Sequence, residues 1–276
     1  MTKRDQLPHL LKLLDDDSPR IREHITQELL AFGPGLWDEV RSLEPALTDR
    51  QKSLVYHLLS RQRHSVVFAH AWRRWPLLPD ELDRLESAYE LLARFQYGWT
   101  PPVRLSELLD DLAQEFLASR RFADPVALSH YLFSVKKFRG NIEDYYNPLN
   151  SNLMFVAQER KGIPVTLASV FMLVGKRVGV AITGCNLPAN FLARAQIENG
   201  ELLFDCFNGG QILTAQDVKK LRATLARRQT DGIAKAPSAV QIIARVLRNM
   251  INAYDLVEDA EKSRAAQGLL QSLPEK

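Results

Sequence analysis

The chain has 276 residues, 46% of them hydrophobic and 25% charged, enough for one large domain or two ordinary ones with a real core. No stretch approaches 18 apolar residues without a charge, which argues against a membrane span. The first residues, Met1-Thr2-Lys3-Arg4-Asp5-Gln6, turn polar at once and carry no apolar secretory core, so a cytoplasmic location is expected. Two cysteines, Cys185 and Cys206, are too few for a disulfide framework or a zinc cluster, and nothing points to a cofactor or metal. The net charge of +3 says little about partners.

In chain order, the first third reads as helical hairpins. Leu7, Leu10, Leu11, Leu13 and Leu14 form a helical stripe that ends at Asp15-Asp16-Asp17. Ser18-Pro19 is a helix start, with Ser as cap and Pro at the first helical position. Ile21, Ile25 and Leu29 follow at helical spacing until Gly33-Pro34-Gly35. The string from Leu10 to Arg22 resembles one HEAT-type repeat, two antiparallel helices joined by a short acidic turn with a Pro and an Arg. No second copy is evident, so a long solenoid is not expected. Further helices are expected at Asp49 to Arg61, His64 to Trp75 and Asp80 to Phe95, with Trp72 and Trp75 packed between helices. Gly98-Trp99-Thr100-Pro101-Pro102 combines a helix stop with two prolines and reads as a domain boundary.

Two more helices are expected from Leu105 to Ser119 and from Pro125 to Phe138. The segment Asn141 to Asn152 is dense in Asn, Pro and Ser and reads as turns, with Asn150 and Asn152 either holding the loop's own backbone or facing a ligand. A short helix from Leu153 leads to Lys161-Gly162. The next helix starts at Pro164 or Thr166 and is apolar nearly all round, as a central buried helix should be. Strands are expected at Val180 to Cys185, Asn190 to Gln196 and Glu201 to Phe207, with a hairpin at Asn199-Gly200 and a fourth short strand at Ile212-Leu213. Thr214 to Arg228 reads as a helix, residues 231–237 as a linker, Ser238 as the cap of a long helix, and Ala260 to Leu273 as a last helix.

The order helix, strand, strand is the outline of a papain-like core. It resembles the transglutaminase-like superfamily, and more closely its SirB-type family of bacteria. The matching residues are Asn150-Ser151-Asn152-Leu153, Gly162-Ile163-Pro164-Val165-Thr166-Leu167, Val178-Gly179-Val180, Leu187-Pro188-Ala189-Asn190-Phe191-Leu192 and Phe204-Asp205-Cys206-Phe207-Asn208-Gly209-Gly210. The resemblance spans about residues 100 to 255. It implies a nucleophile at the start of the helix, a histidine base opening the second strand and an acid on the third. Such chemistry needs a thiol ionised at a helix N-terminus, an imidazole to move the proton and a group that orients the imidazole. At the matching positions this chain has Pro164, Asn190 and Asp205. Proline has no nucleophile, asparagine does not exchange protons near neutral pH, and Thr166, the nearest hydroxyl, has no evident activator. All six histidines precede residue 131.

The expected fold is α+β and α-rich: a HEAT-like helical domain at 1–98, a transglutaminase-like core with a small antiparallel sheet at 99–236, and a helical tail at 237–276. The expected function is a catalytically inactive module that binds a protein or peptide, with Asn150, Asn152, Thr166, Cys185, Asn190 and Asp205 as pocket candidates. One alternative is a cysteine-type peptidase or acyl transferase using Cys185 or Cys206 with a relocated base. A weaker one is nucleic-acid binding through the basic segment 219–248, which lacks the interleaved aromatics of a stacking platform.

Overall fold

A computed structural model describes residues 3–14, 16–32, 36–41, 48, 55, 66–98, 103–119, 122–187, 190–198, 200–224 and 235–274. The chain divides into two compact units, Met1–Arg73 and Arg74–Lys276. In the first, α1 (Lys3–Lys12), α2 (Pro19–Leu30) and α3 (Leu36–Arg41) bury Leu7, Leu11, Leu14, Ile25, Leu29, Leu36 and Val40 in one cluster. These are the leucine stripes of the sequence, folded as a helical hairpin with a third short helix. The Arg22 guanidinium donates to the Asp16 and Asp17 carbonyls and so closes the acidic turn. Of the expected helix at 49–61 only Val55 is described; it is helical and buried in the same cluster. Residues 66–74 are helical, and Trp72 is buried, stacked at 6.0 Å on Phe68.

The second unit is built around one helix. Its elements are α4 (Glu81–Tyr97), α5 (Leu105–Ser119), α6 (Pro125–Ser129), β1 (Arg139–Gly140), α7 (Leu153–Glu159), β2 (Lys161–Gly162), α8 (Pro164–Arg177), β3 (Ile182–Leu187), β4 (Asn190–Ile197), β5 (Gly200–Asp205), β6 (Gln211–Ile212), α9 (Ala215–Thr224), α10 (Ala239–Leu256) and α11 (Ala260–Gln271). Every residue of α8 from Val165 to Gly175 is buried. An all-apolar helix must be covered on every side, and α4, α5, α7, α10 and the sheet supply the cover. The expected boundary at 98/99 therefore falls inside this unit, because α4 packs on α8. Burial of the Tyr89 hydroxyl is matched by a 2.9 Å bond to the Ser169 hydroxyl.

At the C-terminal end of α8 the cations meet carboxylates from α4 and α5. Arg177 forks onto Glu86 with two 2.8 Å bonds and reaches Asp110 at 2.5 Å. Lys176 bonds Asp80 at 2.7 Å and Asp83 at 2.6 Å. Positive charge at a helix C-terminus is also favoured by the helix dipole.

The sheet runs β3-β4-β5-β6, all antiparallel, with Ala193 opposite Phe204 and Cys185 opposite Leu192. Strand alternation sorts its side chains. Phe204 meets Phe171 of α8 edge-on at 5.2 Å, so Phe191, Ala193, Ala195 and Phe204 form the inner face. Cys185, Leu187, Leu192 and Leu203 form the outer face, packed on Leu213 and on Val218 of α9.

Two features escaped the sequence reading. The helix from Pro125 widens after Ser129 into a π-helical turn over His130–Val135. A separate two-residue parallel pair joins β1 to β2. It leans on the sheet through the Gly140 N–H, which donates to the Phe207 carbonyl, with the Phe207 ring so close to Gly140 that a Cβ there would lie 2.5 Å from it. The third strand is also shorter than expected, ending at Asp205 before a turn at 206–210.

Candidate functional site

Pro164 occupies the first turn of α8, where its missing N–H costs nothing. Thr166 is fully buried two residues on. Its hydroxyl accepts from the Ile163 N–H at 3.2 Å and donates toward the Asn150 carbonyl at 3.0 Å. Thr166 is thus the clamp that joins the start of α8 to the Asn-rich loop.

Asn190 opens β4 opposite Leu187, and its side-chain oxygen lies 2.8 Å from the Phe191 N–H. Asp205 ends β5 and accepts from the Asn208 N–H at 3.1 Å and the Asn208 amide at 2.9 Å, closing the turn that carries Phe207. By alternation both belong to the outer-face set with Leu192 and Leu203, whereas α8 packs on the inner face. The Asn190 oxygen and the Asp205 carboxylate both bond locally, and no bond among the described residues joins one family-equivalent position to another.

Both thiols are buried. Cys185 is sealed in the outer-face cluster, and burial pushes its pKa up to about 11, against partial relief from Arg194. Cys206 is buried beside the Phe204 carbonyl, and burial and then the Asp205 charge push its thiol up further. A thiol so displaced is almost wholly protonated at neutral pH and is a poor nucleophile. His130 lies in the π-helical turn, exposed and outside the sheet. Among the described residues no group of three His, Cys, Asp or Glu side chains could hold a metal ion.

The loop amides are structural. Asn150 is buried; its side chain donates to the carbonyls of Asp144 and Tyr145 and accepts from Asn141 at 2.9 Å. Asn152 caps α7 by accepting from the Met154 and Phe155 N–H groups. The same loop turns its aromatics outward. Tyr145 and Tyr146 stack edge-on at 5.2 Å and are about half exposed, and Tyr145 also touches the Phe207 ring.

Over the start of α8 lies a cavity of about 30 Å³, lined by Tyr145, Tyr146, Asn150, Ile163, Asn249 and Asn252. That volume admits one water and no substrate group. Tyr146, Asn147 and Asn252 continue from it into an outer groove of about 600 Å³, completed by Asp144, Pro148, Leu256 and Val257. The sequence signal for this groove was the loop's Tyr145-Tyr146 pair. Asn249 and Asn252 on α10 were missed, because three-residue spacing on a helix shows only that they share a face.

Two further clefts lie in this unit. One, about 1000 Å³, runs beside β3 past Met172, Ile182, Thr183, Lys235 and Pro237. The other, about 690 Å³, surrounds Arg177 and its carboxylates. The basic segment 219–248 is described in part. Arg245 turns inward, donating to the Asn186 side chain and the Leu187 carbonyl, both at 2.6 Å, while its guanidinium lies 5.7 Å from the Phe191 ring centre. Arg227 and Arg228 lie outside the described residues. Among the described residues no helix is long and apolar enough to cross a membrane.

Residues 103–248 match the transglutaminase-like superfamily. Two proteins named UPF0162 protein, from two strains of Xylella fastidiosa, are 30% identical over 219 residues, which is 74% of this chain and 76% of theirs. F-box only protein 21 of Mus musculus is 28% identical over 134 residues, covering 46% of this chain and 21% of that protein. No solved structure matches. The chain belongs to the transglutaminase-like superfamily.

Proposed function

We propose that this transglutaminase-like chain is a non-catalytic module of SirB type that binds a protein or peptide partner. The observation that carries the reading is the chemistry of its scaffold: Pro164 and Asn190 stand at the nucleophile and base positions, and both thiols are buried with raised pKa. The polar groups at the matching positions make short-range bonds, Asn190 with the Phe191 N–H and Asp205 with Asn208. What stays open to solvent near the start of α8 is a groove with aromatic, aliphatic and amide walls. Such walls suit recognition, since they offer shape and hydrogen bonds without a group that exchanges protons. In this reading the first unit is a HEAT-like hairpin that adds contact surface, and the protein works in the bacterial cytoplasm.

The test is a pair of assays on the full chain. With an amine donor and a glutamine-bearing or ester acyl donor, no transfer or hydrolysis above the uncatalysed rate is expected. A thiol probe at neutral pH is expected to leave Cys185 and Cys206 unlabelled until the protein is unfolded. Turnover that disappears on replacing either cysteine would overturn the reading in favour of a cysteine-type enzyme.

A further inference from the structure

We infer that the groove between the Tyr145-Tyr146 loop and the end of α10 clasps an extended peptide that carries a bulky apolar residue beside a lysine or arginine. The inference rests on the binding reading above and gives it a site and a partner chemistry.

The argument starts from unused hydrogen-bonding capacity. Asn249 and Asn252 stand one turn apart on the same face of α10 and line the small cavity, and Asn252 also lines the groove. Neither side-chain amide bonds another described residue, in contrast to Asn141, Asn147 and Asn150 across from them, which bond within the loop. One carboxamide offers a donor and an acceptor, which is what one peptide unit presents in reverse. Side chains three apart on a helix lie about 5–6 Å apart at Cβ. Alternate units of an extended chain repeat at about 6.5–7 Å. Two such amides can therefore hold two alternate peptide units of one strand.

The walls select the side chains. Tyr146 is 55% exposed, Leu256 57% and Val257 55%, and all three border the groove with Pro148. This is a concentrated apolar surface, and covering it with an aliphatic or aromatic side chain is favourable. A sugar or a nucleotide would leave these walls facing hydroxyls or phosphate.

Charge decides the remaining specificity. The one charged residue that lines the groove is Asp144, whose carboxylate accepts from the Asn147 amide and pairs with no described cation. Glu258, exposed directly after Val257, adds a second carboxylate without a described cation partner. Lys161 pairs with Glu143 and Lys262 with Asp259, and Arg248, exposed next to Asn249, does not line the groove. An occupant with a lysine or arginine next to its apolar anchor complements this edge. An acidic segment is repelled.

The probe is an array of blocked, extended peptides in which one leucine or phenylalanine is flanked by lysine, alanine or glutamate, read against the full chain. Lysine-flanked peptides are expected to bind most tightly, and glutamate-flanked ones about tenfold or more weakly. Methylating alternate backbone nitrogens of the best peptide is expected to weaken binding at least about tenfold, as loss of two backbone hydrogen bonds should. The double variant Asn249→Ala, Asn252→Ala is expected to match that loss with an unchanged melting temperature, and Asp144→Asn to erase the preference for lysine. If the chain binds the peptides but neither the amide variants nor N-methylation alters affinity, the groove assignment falls while non-catalytic binding stands. If no peptide in the array binds, the assignment also falls. Acyl transfer on the same peptides would instead overturn the functional reading beneath it.

Discussion

One loop, residues 141–152, shows two opposite uses of polar residues. On its inner side Asn141, Asn150 and Asn152 are buried and bonded to the loop itself or to the next helix, with Thr166 fastening the loop to α8. On its outer side Tyr145 and Tyr146 face solvent across from Asn249 and Asn252, amides without a bond to any described residue. The difference teaches that residue type does not mark a site. Asparagine is scaffold where the backbone needs it and free where nothing competes for it. Removing a buried amide leaves unpaired partners behind, whereas removing an exposed one leaves only water.

The contrast can be broken by graded substitutions. The largest effect is expected at the C-terminal end of α8, where Arg177→Ala strands Glu86 and should cost about 3 kcal/mol or more, read by chemical denaturation. Asn150→Ala should cost about 2–3 kcal/mol, since it removes three side-chain bonds and orphans the Asn141 amide. Thr166→Val should cost about 1–2 kcal/mol, measured in the same way, because it keeps the shape and deletes the clamp. If the Asn150 and Thr166 variants proved neutral, the inner side would not be scaffold.

A pH titration sharpens the account of the thiols. The Cys185 thiol is raised in the fold from an ordinary value near 9 to about 11. The unfolded chain therefore loses this proton first, and the contribution to stability is complete below pH 9 and declines as pH rises toward 11. Cys185→Ala should flatten that alkaline slope, and alkylation of the native wild-type protein should accelerate only in the same range. The smallest effects belong to the outer side. Asn249→Ala and Asn252→Ala should each shift stability by no more than about 0.5 kcal/mol. A large loss there would mean that these amides support the fold.

Much of the fold was legible in local chemistry. Ser238 and Asp80 cap helices with side-chain bonds, Pro164 and Pro125 sit in first turns, and the all-round apolar run of α8 announced its burial. The missing nucleophile and base were also readable, because a family pattern fixes which positions to inspect. The boundary at Gly98-Trp99 misled, since a helix stop and two prolines look the same within a domain as between domains. The packing of α4 on α8 places the division of the chain at Arg73 and Arg74 instead.

By itself, then, the sequence determined most of the described helices, the strands of the antiparallel sheet and their order, and the absence of thiol and imidazole at the family-equivalent positions. These follow from spacing along the chain and from residue identity. Only the tertiary structure decided which polar groups are spent. It closed Cys185 and Cys206 into apolar packing, turned Arg245 inward, bound Asn150 and Asn152 to backbone, and brought Asn249 and Asn252 from α10 to the Tyr145-Tyr146 loop. Hydrogen bonding and burial depend on partners distant in sequence, and no local pattern specifies those partners.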